Sequence, residues 1–183
     1  MHRLEGKIAL ISGGARGQGA AEAELFIAEG AEVIVGDVLE NEGKEFERVM
    51  REKDGNLRYV HLDVRSESDW GNVISNILSD HGRLDILVNN VGGTVGGRDF
   101  DSASDEDWLD TINLNLLSAV RLTRLVVPHM KDNTWGRIVN IASIWGREYG
   151  GAPSYMTSKA AVIAFSKHMA MTLKKLSVKL NHT

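Results

Sequence analysis

Apolar residues fall into short unbroken runs, separated by longer stretches where they recur every three or four positions. The runs are Lys7–Ser12, Glu32–Asp37, Leu57–Leu62, Leu84–Val88 and Arg137–Ala142, rich in Ile, Val and Leu. Such runs, bounded by turn residues, read as strands buried on both faces. The intervening stretches read as helices: Gly17–Glu29, Asn41–Lys53, Ser66–Asp80, Asp105–Met130, and Ser154 to about Lys175. In the fourth, Leu109, Ile112, Leu116, Val120, Thr123 and Val127 form one apolar face of a long helix. Alternation of this kind predicts an α/β fold: a doubly wound parallel sheet with helices on both faces, three layers deep, joined by right-handed crossovers. The acidic stretch 99–107 reads as a solvated loop and helix start.

Composition narrows this without redirecting it. The 183 residues are 43% hydrophobic, enough for one core, and the whole chain, residues 1–183, is expected to form a single domain. Net charge is -4, and Lys and Arg are scattered, so nucleic acid finds no basic footprint. There is no cysteine, hence no disulfide and no thiolate metal site, and no metal is expected. No stretch approaches the ~20 apolar residues that cross a bilayer. The start, MHRLEGKIAL, lacks the pattern of a signal peptide, so a cytoplasmic protein is expected.

The first strand runs into Ser12-Gly-Gly-Ala-Arg-Gly-Gln-Gly19 and then a helix. Gly13, Gly17 and Gly19 allow a tight turn and close backbone approach to a ligand. The helix start then offers free N–H groups and a positive dipole end to a pyrophosphate. Alone, the cluster is also an ordinary strand-to-helix turn. Asp37, 18 residues past Gly19 at the end of the second strand, adds weight. A carboxylate there accepts hydrogen bonds from the ribose hydroxyls of NAD and repels the extra phosphate of NADP. Its plainer role is a cap or turn. Arg16 argues for NADP, but beside Asp37 the balance favours NAD. Asp63-Val64, after the third strand, stands where a carboxylate and backbone could meet adenine. Asn89-Asn90-Val-Gly92, after the fourth, can tie strands together while Gly92 leaves space; each is also ordinary turn chemistry. These features make the expected fold Rossmann-type.

Tyr155 and Lys159, four residues apart in a helical stretch, share a face. Ser143 follows the fifth strand, 12 residues before Tyr155. Hydride transfer to a carbonyl needs a proton donor for the developing alkoxide. A free tyrosine, with a pKa of about 10, is poor at this, and a nearby ammonium favours its phenolate. A serine hydroxyl can hold the same substrate oxygen. By itself Tyr-x-x-x-Lys is a common surface pair.

In this order and spacing, SGGARGQG, Asp37, Asp63-Val64, NNVG, a helix asparagine, Ser143 and YMTSK resemble the short-chain dehydrogenase/reductase family, from about Leu4 to about Leu173. The resemblance implies hydride transfer between NAD(H) and an alcohol or ketone. Tyr155 would be the general acid/base, Ser143 would orient the substrate oxygen, and Lys159 would lower the Tyr155 pKa and bind the nicotinamide ribose. Gly13, Arg16, Gly17, Gln18, Gly19, Asp37, Asp63, Val64, Asn90 and Gly92, with Tyr155 and Lys159, would hold the cofactor. The helix asparagine would hold a relay water; Asn115 fits the family pattern better than Asn113, though either could merely bond a helix carbonyl. Ser12, Gln18 and Val91 depart from the family's usual residues in tolerable ways. A homodimer or homotetramer through the 105–130 and 154–175 helices is implied. The same stripe also serves a monomer core.

The family continues past the active-site helix with a sixth strand, a turn, a mobile substrate loop, a helix and a seventh strand. Here the sequence closes at Lys174–Thr183, with Ser177–Leu180 as the start of a sixth strand. The expectation is a shortened form with an exposed apolar sheet edge, lacking the family's nicotinamide carboxamide contact and substrate lid. Two further classes stay open: a non-catalytic NAD-binding or interaction protein derived from such an enzyme, and a methyltransferase-type Rossmann protein. The latter has no need for the Ser/Tyr/Lys spacing. Loop residues Gly93–Arg98 and Trp145–Tyr149 are expected to face the pocket, Trp145 either packing an apolar ring or serving structure.

Overall fold

A computed structural model describes residues 2–173 and 178–182. Six strands form one parallel sheet: β1 (Ile8–Ser12), β2 (Glu32–Asp37), β3 (Leu57–His61), β4 (Ile86–Asn89), β5 (Gly136–Asn140) and β6 (Val178–His182), in the order β3-β2-β1-β4-β5-β6. Every pairing is parallel. This is the doubly wound, Rossmann-type sheet, and its order reverses between β1 and β4.

The period-2 geometry of the strands divides the core in two. Ile8, Leu10, Ile34, Leu87 and Ile138 point to one face. There they meet Val73, Ile74 and Ile77 of α3 (Glu67–His81) and Leu122, Val126 and Met130 of α5 (Ser118–Asp132), with Leu173 of α6 (Pro153–Leu173). Ala9, Ile11, Val33, Val35, Ile86 and Val88 point to the other, against Ala23 of α1 (Gly17–Ala28) and Met50 of α2 (Glu40–Glu52). A strand buried on both faces needs apolar residues at every position, which is why the strands were readable as unbroken runs.

Two expectations need correction. The helix predicted over Asp105–Met130 is α4 (Asp105–Ile112), a π-helical turn (Asn113–Leu117) and α5. The π turn is closed by the Ser118 N–H donating five residues back to the Asn113 carbonyl. The apolar stripe is buried only toward its end: Thr123 and Val127 are buried but Leu109 is 67% exposed, and over the first turns the deepest residues are Thr111, Asn115, Ser118 and Ala119. The inward face is small and polar here because it borders the site, so a hydrophobicity count points beside it. The sixth strand expected to start in Ser177–Leu180 is present as β6, which pairs along β5 and is the last strand of the sheet among the described residues. The end of the last helix beyond Leu173, and Ser177, lie outside the described residues.

Helix starts differ in their caps. Ser66 caps α3, its side chain accepting the Asp69 N–H. Ser104 and Asp107 form a reciprocal capping box on α4. α1 begins at Arg16 with no side-chain cap and no acidic residue in its first turn. Among the described residues, no helix is long and apolar enough to cross a membrane.

Candidate active site

A cavity of about 860 Å³ opens at the C-terminal ends of the strands, over the point where strand order reverses. Open α/β sheets bind ligands at this place. Gly13, Arg16, Gly17, Gln18, Asp37, Asp63, Val64, Asn90 and Gly92 line it together with Ser143, Tyr155 and Lys159.

On the β1 side the loop is built for close approach. Gly13 has φ +69, a left-handed conformation that glycine adopts without strain. A Cβ on Gly19 would stand 2.4 Å from the Gly13 carbonyl oxygen, so the helix start packs directly on the turn. Asn90 secures the loop from β4, its Nδ2 donating to the Gly13 carbonyl at 2.8 Å. Ser12 joins the same strand ends: its hydroxyl donates to the Val88 carbonyl and accepts the Asn90 N–H. The uncapped start of α1 therefore faces the cavity with its N–H groups unclaimed by any side chain.

Asp37 is 8% exposed. Its two oxygens accept N–H bonds from Ala15 and Leu39, each at 3.1 Å. The turn role is therefore present, and it leaves acceptor positions over, since an ionised carboxylate offers about four. Tyr59 donates its hydroxyl to the Asp37 carbonyl and steadies the strand end. Asp63 makes a local pair. Its carboxylate is held by the Arg65 guanidinium and N–H. That hydrogen bonding keeps the Asp63 carboxyl below its usual pKa. Asp63, Val64 and Arg65 all line the cavity. Gln18 donates along α1 to Glu22.

On the β5 side, α6 carries Tyr155 and Lys159. Lys159 is 2% exposed, its Nζ donating to the Ile141 carbonyl at 2.6 Å and lying 5.7 Å from the centre of the Tyr155 ring. Burial lowers its pKa to about 8. Gly92 lets β4's loop pass over it: a Cβ there would be 2.7 Å from Lys159 Nζ. Ser143 accepts the Trp145 N–H on its Oγ at 3.2 Å, which leaves the hydroxyl hydrogen free to donate into the cavity.

The two candidate asparagines separate cleanly. Asn113 pairs with Arg121. Asn115 is 2% exposed and reaches the site. Its Nδ2 donates to the Gly93 carbonyl and to Ser158 Oγ, and its Oδ1 accepts the Gly93 N–H, each at 2.8 Å. The Ser158 hydroxyl in turn donates to the Tyr155 carbonyl. Both amide hydrogens of Asn115 are thus spent on protein, and the side chain acts as a clamp between the β4 loop and α6.

Sequence reasoning missed Arg65, Ile141 and Ser158. Arg65 and Ser158 had faint signals, at two residues from Asp63 and three from Tyr155. Ile141 acts through its carbonyl, which no side-chain pattern reports.

The match to the short-chain dehydrogenase family spans residues 7–183. The chain belongs to that family. It is an oxidoreductase of alcohol and carbonyl groups, and the family works with nicotinamide nucleotides. The dehydrogenase is 39% identical over 180 residues to 3-alpha-(or 20-beta)-hydroxysteroid dehydrogenase of Mycobacterium bovis, covering 98% of this chain and 68% of that one. It is 35% identical over 182 residues to cyclopentanol dehydrogenase of Comamonas sp., covering 99% and 72%. Its fold matches a crystal structure assigned to a short-chain dehydrogenase/reductase from Burkholderia xenovorans at TM-score 0.93 and 31% identity, covering 98% and 74%.

The residues fit a nicotinamide dinucleotide. The tight glycine turn, the uncapped helix start facing the cavity and the strand-end carboxylate of Asp37 suit a pyrophosphate and an adenosine ribose. The buried ammonium of Lys159 lies at the opposite end, beside Tyr155.

Proposed function

We propose that this dehydrogenase interconverts a secondary alcohol and its ketone with NAD(H). The observation that carries it is one cavity lined by both sets of groups: Gly13, Arg16 and Asp37 at one end, Ser143, Tyr155 and Lys159 at the other. Both relatives named above are dehydrogenases of secondary alcohols by name, which supports that substrate class.

A nicotinamide nucleotide held by Gly13, Arg16 and Asp37 would supply or accept the hydride. In reduction, Ser143 donates a hydrogen bond to the substrate oxygen and Tyr155 gives that oxygen its proton; in oxidation Tyr155 takes the proton back. Lys159, held by the Ile141 carbonyl, sets a positive charge beside the Tyr155 ring. The clamp of Asn115 on Gly93 and Ser158 fixes the β4 loop against the helix that carries Tyr155. Asp37 selects NAD over NADP by charge. A cytoplasmic setting goes with this reading, and the absence of cysteine fits a reducing compartment.

Assembly as a homodimer or homotetramer belongs to the proposal. Val120 and Val127 of α5 with Phe165 and Met169 of α6 line an apolar groove of about 300 Å³. A second copy would cover it, and sedimentation at micromolar concentration should show more than monomer.

The deciding experiment pairs NADH fluorescence titration with turnover over a panel of ketones and alcohols. Tyr155→Phe should keep NADH binding and lose turnover. Binding without turnover, unchanged by Tyr155→Phe, would overturn the enzymatic reading.

A further inference from the structure

Trp145 follows Ser143 by two residues and meets Tyr155 edge to face, ring centroids 6.2 Å apart at 82°. Its position is over-determined. It sits in a 3₁₀ turn (Ile144–Gly146) pressed flat on α6: a Cβ on Gly146 would lie 2.9 Å from the Lys159 carbonyl carbon and 3.0 Å from the Ala160 nitrogen. The turn therefore cannot slide along the helix that carries Tyr155 and Lys159. The loop behind the indole is equally close. A Cβ on Gly150 would come within 2.4 Å of Trp145 Nε1, and one on Gly151 within 2.7 Å of Cε3. Two consecutive glycines form the seat of this ring, and only glycine fits there without moving it.

With one side on that seat and an edge on Tyr155, Trp145 is still 40% exposed. Ile144 and Tyr149, on the same loop, are exposed as well. Arg147 and Glu148 between them carry opposite signs and offer no net charge to a ligand. A rigid indole left open beside the proton donor is a preorganised apolar wall, and covering it releases water from a large apolar area. The backbone N–H of residue 145 also donates to Ser143 Oγ, an anchor that any side chain at this position would keep.

Resting on the alcohol/ketone reading above, we propose that Trp145 is the specificity-determining wall of the substrate site. The preferred substrate is a ketone or alcohol whose reacting carbon belongs to, or is attached to, an apolar ring. Its oxygen is held at Ser143 and Tyr155, and its ring lies against the indole.

The full chain labelled with 5-fluorotryptophan tests this without turnover. The chain has four tryptophans, Trp70, Trp108, Trp135 and Trp145, and Trp145→Phe assigns the fourth ¹⁹F resonance. Titration with cyclohexanone should shift the Trp145 resonance and leave the other three. In parallel, Trp145→Ala should lower the ratio of kcat/KM for cyclohexanone to that for acetone by about tenfold or more, with Trp145→Phe recovering part of it. A Trp145 resonance that does not respond overturns the proposal, whether or not cyclohexanone is turned over. So does an equal loss for both ketones in Trp145→Ala. If no ketone is reduced but the resonance shifts, the wall stands and the assigned reaction falls.

Discussion

Asn115 grips Gly93 by both of its backbone polar groups, accepting its N–H and donating to its carbonyl, each at 2.8 Å. Replacing it with alanine strips partners from the half-buried Gly93 backbone and from the buried Ser158. The expected cost is on the order of 2–3 kcal/mol. That corresponds to a Tm lower by roughly 4–12 °C for a chain of this size. Turnover should fall with it, because the β4 loop loses its tie to the helix of Tyr155. An Asn115→Ala protein with unchanged Tm and unchanged kcat would show that the clamp holds nothing.

The strands could be read because both of their faces are buried, so sequence and burial agree at each position of Ile8–Ile11 and Val33–Val35. The glycine loop was legible because Gly13 and Gly19 answer steric demands that no other residue meets. Over 105–132 the agreement broke. Thr111, Asn115 and Ser118 are buried but polar, and Leu109 is apolar but exposed. A period count follows hydrophobicity, while this face serves hydrogen bonding to the β4 loop. The π turn at Asn113–Leu117 adds its residue without disturbing any pattern of apolar spacing. Backbone acceptors such as the Ile141 carbonyl leave no trace in residue identity at all.

Two glycines of the site should respond to alanine in opposite ways. At Gly19 the new Cβ meets the Gly13 carbonyl oxygen at 2.4 Å and the Gly14 Cα at 3.0 Å, with backbone on both counts. The turn itself must move, so Gly19→Ala should lose stability of order 1–3 kcal/mol and lose nucleotide binding. At Gly92 the nearest atom is Lys159 Nζ, the far end of a flexible side chain. Gly92→Ala should keep its Tm within a few degrees while displacing the ammonium, with kcat down roughly 10–100-fold. Thermal melts beside steady-state kinetics separate the two, and equal loss of Tm in both variants would refute the distinction.

Asp37→Ser tests the cofactor preference. Serine keeps an oxygen near the Ala15 and Leu39 N–H groups that Asp37 now serves, but removes the charge. Like charges brought together cost several kcal/mol, so the ratio of NADPH to NADH affinity should rise roughly tenfold or more. Fluorescence titration with each nucleotide measures it. A ratio that stays put would mean that Arg16 and Arg65, which also line the cavity, govern the choice instead.

The pH dependence of stability follows from Lys159. Its pKa falls from the usual 10.5 to about 8 because burial disfavours the ammonium. Below pH 8 the nucleotide-free folded protein must carry that charge inside, and the penalty is fully present. Between about pH 8 and 10.5 the folded side chain gives up its proton while the unfolded one keeps it. The unfolded state then binds more protons, so this group's contribution to stability rises with pH. The full effect is at most on the order of 3 kcal/mol. Lys159→Met removes the titration while keeping most of the volume, at the fixed cost of an unpaired Ile141 carbonyl. Subtracting the variant's denaturation curves from those of the parent cancels every other titrating group. The difference should be flat from pH 6 to 7.5 and then move in the parent's favour as pH climbs toward 10. Parallel curves over that range would mean that the buried ammonium stays charged, held by the Ile141 carbonyl more strongly than burial opposes it.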